Sequence, residues 1–121
     1  MKIAIPRFGE EVAPCFEYSA TIAIFILRGK KIVDQMDFSL QSRDMLDRFR
    51  LLRDQKVKTL ICGGVQDFYE DLLRANGIRV ISWVTGNVEE LLNQFLDGTL
   101  SPGSRPPGGG FGVPVPRSPN S

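Results

Sequence analysis

Apolar residues in this chain come in short blocks, alternating in the first forty or so positions and helix-spaced or continuous afterwards. Ile3 and Ile5 share one face of a short strand over residues 1–6, and Pro6 is expected to end it. Residues 7–17 read as a loop containing Gly9 and Pro14. Residues 19–27 are apolar on both alternating sets, Ile22, Ile24 and Ile26 against Ala23, Phe25 and Leu27, as in a strand covered on both sides. Arg28-Gly29-Lys30 is a tight reversal, and residues 31–38 return as a third strand with Ile32, Met36 and Phe38 inward. Ser42 can cap a helix over 43–55 whose stripe is Met45, Leu46, Phe49 and Leu52. Residues 59–62 form a buried strand, Gly63-Gly64 a sharp turn, and Asp67–Ala75 a helix presenting Phe68, Leu72 and Leu73. Asn76-Gly77 stops that helix, and residues 78–81 make a fifth strand. Asn87 with Glu90 starts a last helix bearing Val88, Leu91, Leu92, Phe95 and Leu96, which Gly98 ends.

The predicted order, βββαβαβα, is that of an α/β fold with a five-stranded mixed sheet and three helices. Each hairpin reverses direction, so the first and third strands point the same way. Right-handed helical crossovers set the fourth and fifth parallel to the first. The carboxyl ends of strands one, three, four and five then share one edge of the sheet, where open α/β sheets bind ligands. Four loops gather there, 7–17, 39–42, 63–66 and 83–87, and they bring Cys15, Cys62, Arg7 and Arg43 to that edge.

Composition narrows the possibilities. A chain of 121 residues, 42% hydrophobic and 24% charged, is long enough for one globular domain with a modest core. Net charge is +1, and the segment after Leu100 holds two arginines and no acid, which leaves the folded part near −1. A nucleic-acid domain that relies on phosphate neutralisation is thereby disfavoured. The first apolar run is too short for a signal peptide and no segment approaches membrane-spanning length. With two cysteines, the expectation is a cytoplasmic protein with free thiols. Histidine is absent, so no Ser-His or Cys-His machinery can be assembled within the chain. Residues 101–121 hold six of the eight prolines and five of the twelve glycines, and read as a disordered tail appended to a domain over 1–100. Its Pro116-Arg-Ser-Pro119 fits a PxxP pattern but is read as spacer before docking motif.

Each candidate for chemistry has two readings. Cys62, at the end of a buried strand, is a small core hydrophobe or a metal ligand. Cys15, between Pro14 and Phe16 in a loop, has less packing reason to be there and is the stronger candidate thiolate, its ionisation eased by Arg7. Gly63 and Gly64 serve tight packing, amide exposure toward an anion, or both. Arg7 and Arg43 are solvated charges or anion clamps, and Trp83 is a core-rim plug or the roof of a ligand pocket. The carboxylates of 67–71 read as a solvated face. Two thiols cannot close a four-ligand zinc or cluster site, so a cluster would be bound with open positions, shared across a dimer, or held by non-covalent contacts.

Val12-Ala-Pro-Cys-Phe16 with Ala20, Ile61-Cys-Gly-Gly64, Gly77-Ile-Arg-Val80, Gly86-Asn-Val-Glu-Glu-Leu91 and Phe95-Leu-Asp-Gly-Thr-Leu100 together resemble the dinitrogenase iron–molybdenum cofactor-binding family, which includes NifX-like carriers and the C-terminal domain of NifB. The resemblance spans residues 1–100. It implies a ribonuclease H-like three-layer α/β fold and non-catalytic, reversible binding or transfer of molybdenum- or iron-containing sulfur clusters between donor and acceptor proteins. Members often carry His-Phe-Gly where this chain has Cys15-Phe16-Glu17, and a His- and Gly-rich stretch where it has Ser39-Leu-Gln-Ser42. Thiolate would therefore have to replace imidazole, with Cys15 and Cys62 as metal ligands and Arg7, Arg43, Gly63 and Gly64 in contact with the cargo. The competing expectation is a small interaction or regulatory module that binds no metal. A nuclease is disfavoured, because the first strand, Lys2-Ile-Ala-Ile5, carries no carboxylates to hold two metals.

Overall fold

In the computed structural model, which describes residues 1–41 and 44–104, the first strand does not stop at Pro6: β1 runs Lys2–Phe8. The proline is tolerated for a geometric reason. Its carbonyl accepts from Ala13 N at 2.9 Å, so its ring nitrogen faces the same side. The parallel neighbour on that side pairs with β1 only at Ile3 and Ala4, so the proline lies beyond that ladder. A two-residue strand, β2 (Glu11–Val12), pairs back on Arg7 and Phe8 within the stretch read as loop. A 3-10 turn (Phe16–Tyr18) leads into β3 (Thr21–Arg28) and β4 (Lys31–Ser39). Then follow α1 (Met45–Asp54), β5 (Thr59–Ile61), α2 (Asp67–Ala75), β6 (Arg79–Ile81) and α3 (Val88–Asp97).

The sheet order is β4-β3-β1-β5-β6, with β2 on the side of β1. β3 is antiparallel to β1 and β4, while β5 and β6 run parallel to β1, so the carboxyl ends of β1, β4, β5 and β6 do share one edge. Apolar residues separate cleanly onto the two faces. Ala4, Ile22, Ile24 and Leu60 pack with Phe49 and Leu52 of α1 and Leu73 of α2. Ile3, Ile5, Phe25 and Ile81 pack with Val88, Leu91 and Leu92 of α3. Burying a side chain of this size contributes about 1.5–3 kcal/mol, so these two layers hold the fold.

Three expected inward residues are not inward. A register shift between Ile26 and Leu27 puts one extra residue into β4, which turns Ile32 onto the α3 side, away from Met36 and Phe38, where it is 43% exposed. Leu46 and Phe68 lie at the edges of their helical stripes, 42% and 69% exposed. The cap of α1 is Asp44, whose carboxylate accepts from Leu46 N at 2.9 Å. Ser42, Arg43 and the side chain of Met45 lie outside the described residues, as do residues 105–121. The segment after α3 is attached before it leaves them: Leu100 packs on the α3-side core, and Gly103 N–H donates to Ser82 O at 2.9 Å. A Cβ at Gly103 would overlap the Trp83 carbonyl. No helix among the described residues is long and apolar enough to cross a membrane.

The start of α3 is doubly held, by the Asn87 side chain accepting from Glu89 N (2.9 Å) and Glu90 N (3.2 Å), and by Val88 N–H donating to Glu10 O at 2.8 Å. Replacing Asn87 by Ala should cost about 1 kcal/mol in urea unfolding with an unchanged m-value. An unmoved midpoint would assign the helix start to the Glu10 contact alone.

Candidate functional site

Residues 10–17 are tied down along their length. Val12 N–H donates to Gly86 O at 2.9 Å and Ala13 N–H to Pro6 O at 2.9 Å. Further on, Gly64 N–H donates to Pro14 O at 2.7 Å and Phe16 N–H to Gly64 O at 2.8 Å, a bridge that sets Cys15 beside Gly64. A Cβ on Gly63 would lie 2.5 Å from Ala13 O and 2.8 Å from Pro14 O. Neither Gly63 nor Gly64 has a left-handed φ, so close approach, and not the turn, is what demands glycine at 63. The Gly64 N–H, expected to face an anion, is committed to Pro14 instead.

Next to it, Cys15 is half-buried and its thiol donates to Glu17 Oε1 at 3.7 Å. The other oxygen of that carboxylate accepts from Gln66 N at 2.9 Å. Gln66 is the N-cap of α2, and Glu17, only 6% exposed, supplies the negative group that this helix end favours. Burial first, and then the neighbouring Glu17 charge, pushes the Cys15 thiol up to about 11. The expected easing by Arg7 is absent: Arg7 lies across the sheet on the α3 side, 3.2 Å from Asp37. Such a partly exposed pair is worth no more than about 1 kcal/mol.

Arg48 is a buried cation near Cys15 and Glu17 that the sequence reading did not single out. It is 3% exposed, and two of its guanidinium nitrogens donate to Ser19 O, one at 3.0 Å. Burial lowers its pKa, against the pull of Asp47, Cys15 and Glu17. A signal was present, since position 48 falls on the apolar stripe one turn before Leu52. Glu17 had no such signal; only the tertiary fold brings it to α2.

Cys62 is fully buried in the core shared with α1 and α2, and burial pushes its thiol far up. Arg43 lies outside the described residues. Trp83, half-buried with a φ of 62°, donates its backbone N–H to Gly63 O at 2.9 Å and belongs to the turn after β6. Beside Cys15, the walls of Glu17, Tyr18, Asp44, Leu46, Gln66, Phe68 and Tyr69 enclose a cleft of about 580 Å³. Among the described residues no group of three or more His, Cys, Asp or Glu side chains is placed to hold a metal ion. The edge thus offers one half-buried thiol, one carboxylate and an open aromatic cleft.

That architecture has been seen before. The structure of PH0822 superposes with a TM-score of 0.78 at 19% identity, over 84% of this chain and 93% of that one. A protein provisionally assigned as a dinitrogenase, from Methanocaldococcus jannaschii, matches with 0.71 at 19% identity, over 88% and 97%. The apo form of orange protein from Desulfovibrio gigas matches with 0.69 at 20% identity, over 85% and 92%. At these identities the likeness is one of fold. No family model and no curated protein matches the chain.

Three outcomes follow from the site. At pH 8 Cys15 should react with iodoacetamide about a hundredfold more slowly than an unperturbed thiol, with the rate climbing toward pH 11. Cys62 should react only in denaturant. Because both thiols are held protonated by the fold, stability is retained below the unfolded value of 9.0 and declines as pH rises toward about 11. Fast labelling of Cys15 at neutral pH would contradict the environment described. Gly63→Ala should destabilise by about 1–3 kcal/mol by forcing the Ala13–Pro14 backbone away, measured by chemical denaturation.

Proposed function

We propose that the protein binds a molybdenum- or iron-containing sulfur cluster or its precursor, without catalysing a reaction, and passes it between a donor and an acceptor protein. The observation that carries this reading is the Cys15 thiol, half-buried at the carboxyl edge of the sheet and 3.7 Å from the Glu17 carboxylate. The fold likeness to the dinitrogenase-assigned protein supports it. So does the sheet order, in which only the second of five long-path strands runs against the others, as in a ribonuclease H-like fold.

The electrostatics decide how cargo is held. Burial, and then the Glu17 charge, keeps the Cys15 proton on; that charge also favours a metal cation in its place, so binding exchanges one proton for metal. Backbone amides take little part, because Gly64 N–H and Gln66 N–H already have acceptors. With one thiolate and one carboxylate, the cargo keeps its own sulfide ligands and can leave, which suits transfer more than storage. Cys62 is left out of this reading, since its sulfur is fully buried.

Anaerobic incubation with ferrous iron and sulfide, with and without tetrathiomolybdate, tests this directly. After desalting, wild-type protein should retain metal by elemental analysis and show a visible spectrum. Cys15→Ser should weaken retention by at least about tenfold, as losses around a metal site generally do. Retention should rise with pH as the proton is displaced more easily. Equal retention by Cys15→Ser would overturn the thiolate assignment. No uptake by the wild type would favour the metal-free interaction module, with the aromatic cleft as its binding surface.

A further inference from the structure

Cations gather at the edge of the sheet opposite Cys15. β3 ends at Arg28, β4 begins at Lys31, β1 begins at Lys2, and Lys58 immediately precedes β5. Strand alternation turns all of them to one face. Leu27 packs on the α3 side, so its neighbour Arg28 and the paired Lys31 face the α1 side. Ile3 also packs toward α3, and Lys2 accordingly faces α1, where its ammonium donates to Gln55 Oε1 at 3.4 Å. Leu60 packs with α1 and α2, which puts Lys58, two residues earlier, on that same face. Neighbouring strands lie about 4.8 Å apart, so the row crosses β4, β3, β1 and β5 within roughly 15 Å.

The end of α1 extends the row. Arg53, in its last turn, and Lys56, just beyond it, line with Lys58 a cleft of about 310 Å³ that Asn76 and Gly77 close from the end of α2. The Arg53 guanidinium lies over the Phe49 ring, 5.9 Å from its centre. Arg53 and Lys56 have a local reason to be there, because a helix carboxyl end favours positive charge. The strand cations have none, and all but Lys2 are exposed. Arg28 and Lys31 are direct cross-strand partners, an arrangement that repels and that nothing in the fold rewards. Among the described residues, Arg53 alone of these cations forms an ion pair, with Asp54. A polyanion laid along the row would relieve that repulsion. The exposed aromatic side chains Phe8, Tyr18 and Phe68 lie at the opposite edge, so nucleobases would find nothing to stack on here. The nearby carboxylates, Asp34 and Asp54, would also repel a backbone charged at every nucleotide, whereas a polypeptide can place carboxylates only where cations meet them. We infer that Lys31, Arg28, Lys2 and Lys58, together with Arg53 and Lys56, dock an extended acidic segment of a partner protein. This docking is independent of cluster binding and leaves the Cys15 edge, at the other end of the strands, open.

Fluorescence anisotropy of the full-length protein with a labelled oligoglutamate of about ten residues, at about 0.15 M salt, tests this. Oligoglutamate should bind, and oligoglutamine of the same length should not. K31E/K58E, both at exposed positions, should weaken binding at least about tenfold. R7E/R50E makes the same change in net charge at cations already taken up by Asp37 and Asp47, and should leave binding within about twofold. In amide NMR of the wild type, signals of Arg28, Lys58 and Gly77 should move on adding oligoglutamate, while those of Cys15 and Gln66 stay in place. Absence of binding by the wild type, or an equal loss in the two double variants, overturns the inference. Tighter binding of an oligothymidylate of equal charge also overturns it and gives the row to a nucleic acid. A concentration-dependent dimer in sedimentation that K31E/K58E abolishes overturns it as well, and gives the row to a second copy.

Discussion

The main chain of residues 13–16 lies so close on Gly63-Gly64 that a single Cβ at 63 would sit 2.5 Å from a carbonyl oxygen, and the site depends on that contact. It turns a proline-containing connection into a fixed segment, bonded to β1, to the turn after β5 and to the start of α3. Cys15 is thereby placed beside Gly64, and the chain then enters the 3-10 turn at the height where Glu17 meets α2. Backbone hydrogen bonds of this kind contribute about 1 kcal/mol each, but several in one short segment fix its path.

Glu17 links structure to chemistry. One oxygen satisfies the first orphan amide at the entry to α2, and the other accepts from the Cys15 thiol. The positive end of α2 is thus met by a carboxylate from within the fold. Burial, and after it this same charge, raises the proton affinity of the neighbouring thiol. The Gln66 and Gly64 amides at this edge thus both have acceptors within the chain.

The two faces of the sheet differ in the same sense. Arg7, the described cation nearest the end of β1, is on the α3 side and is taken up by Asp37. The cysteines are associated with the face covered by α1 and α2, where Arg48 is enclosed. No arginine side chain lines the aromatic cleft among the described residues, which gives that cleft its acidic rim.

Local pattern was enough for most elements. The doubly apolar run around Ile24 became the sheet's β3, Asp67–Ala75 and the Asn87 cap appear where their residues place them, and the hairpin and crossover order brought four carboxyl ends together. These features depend on side-chain period, caps and glycines, all of which are properties of neighbours in sequence. The exceptions have tertiary causes. Pro6 stays in a strand because the adjacent ladder has already ended, and Ile32 turns outward because a bulge two strands from the centre shifts parity. The shared carboxyl edge was legible, and Cys15 does lie on it beside Gly64. Its electrostatics were not, because Glu17 reaches Gln66 across 49 positions, Arg7 falls on the opposite face, and the Gly64 amide finds its acceptor in Pro14. Sequence determined which segments form and which edge they share; the close packing of distant backbone decided which charges and amides remain available there.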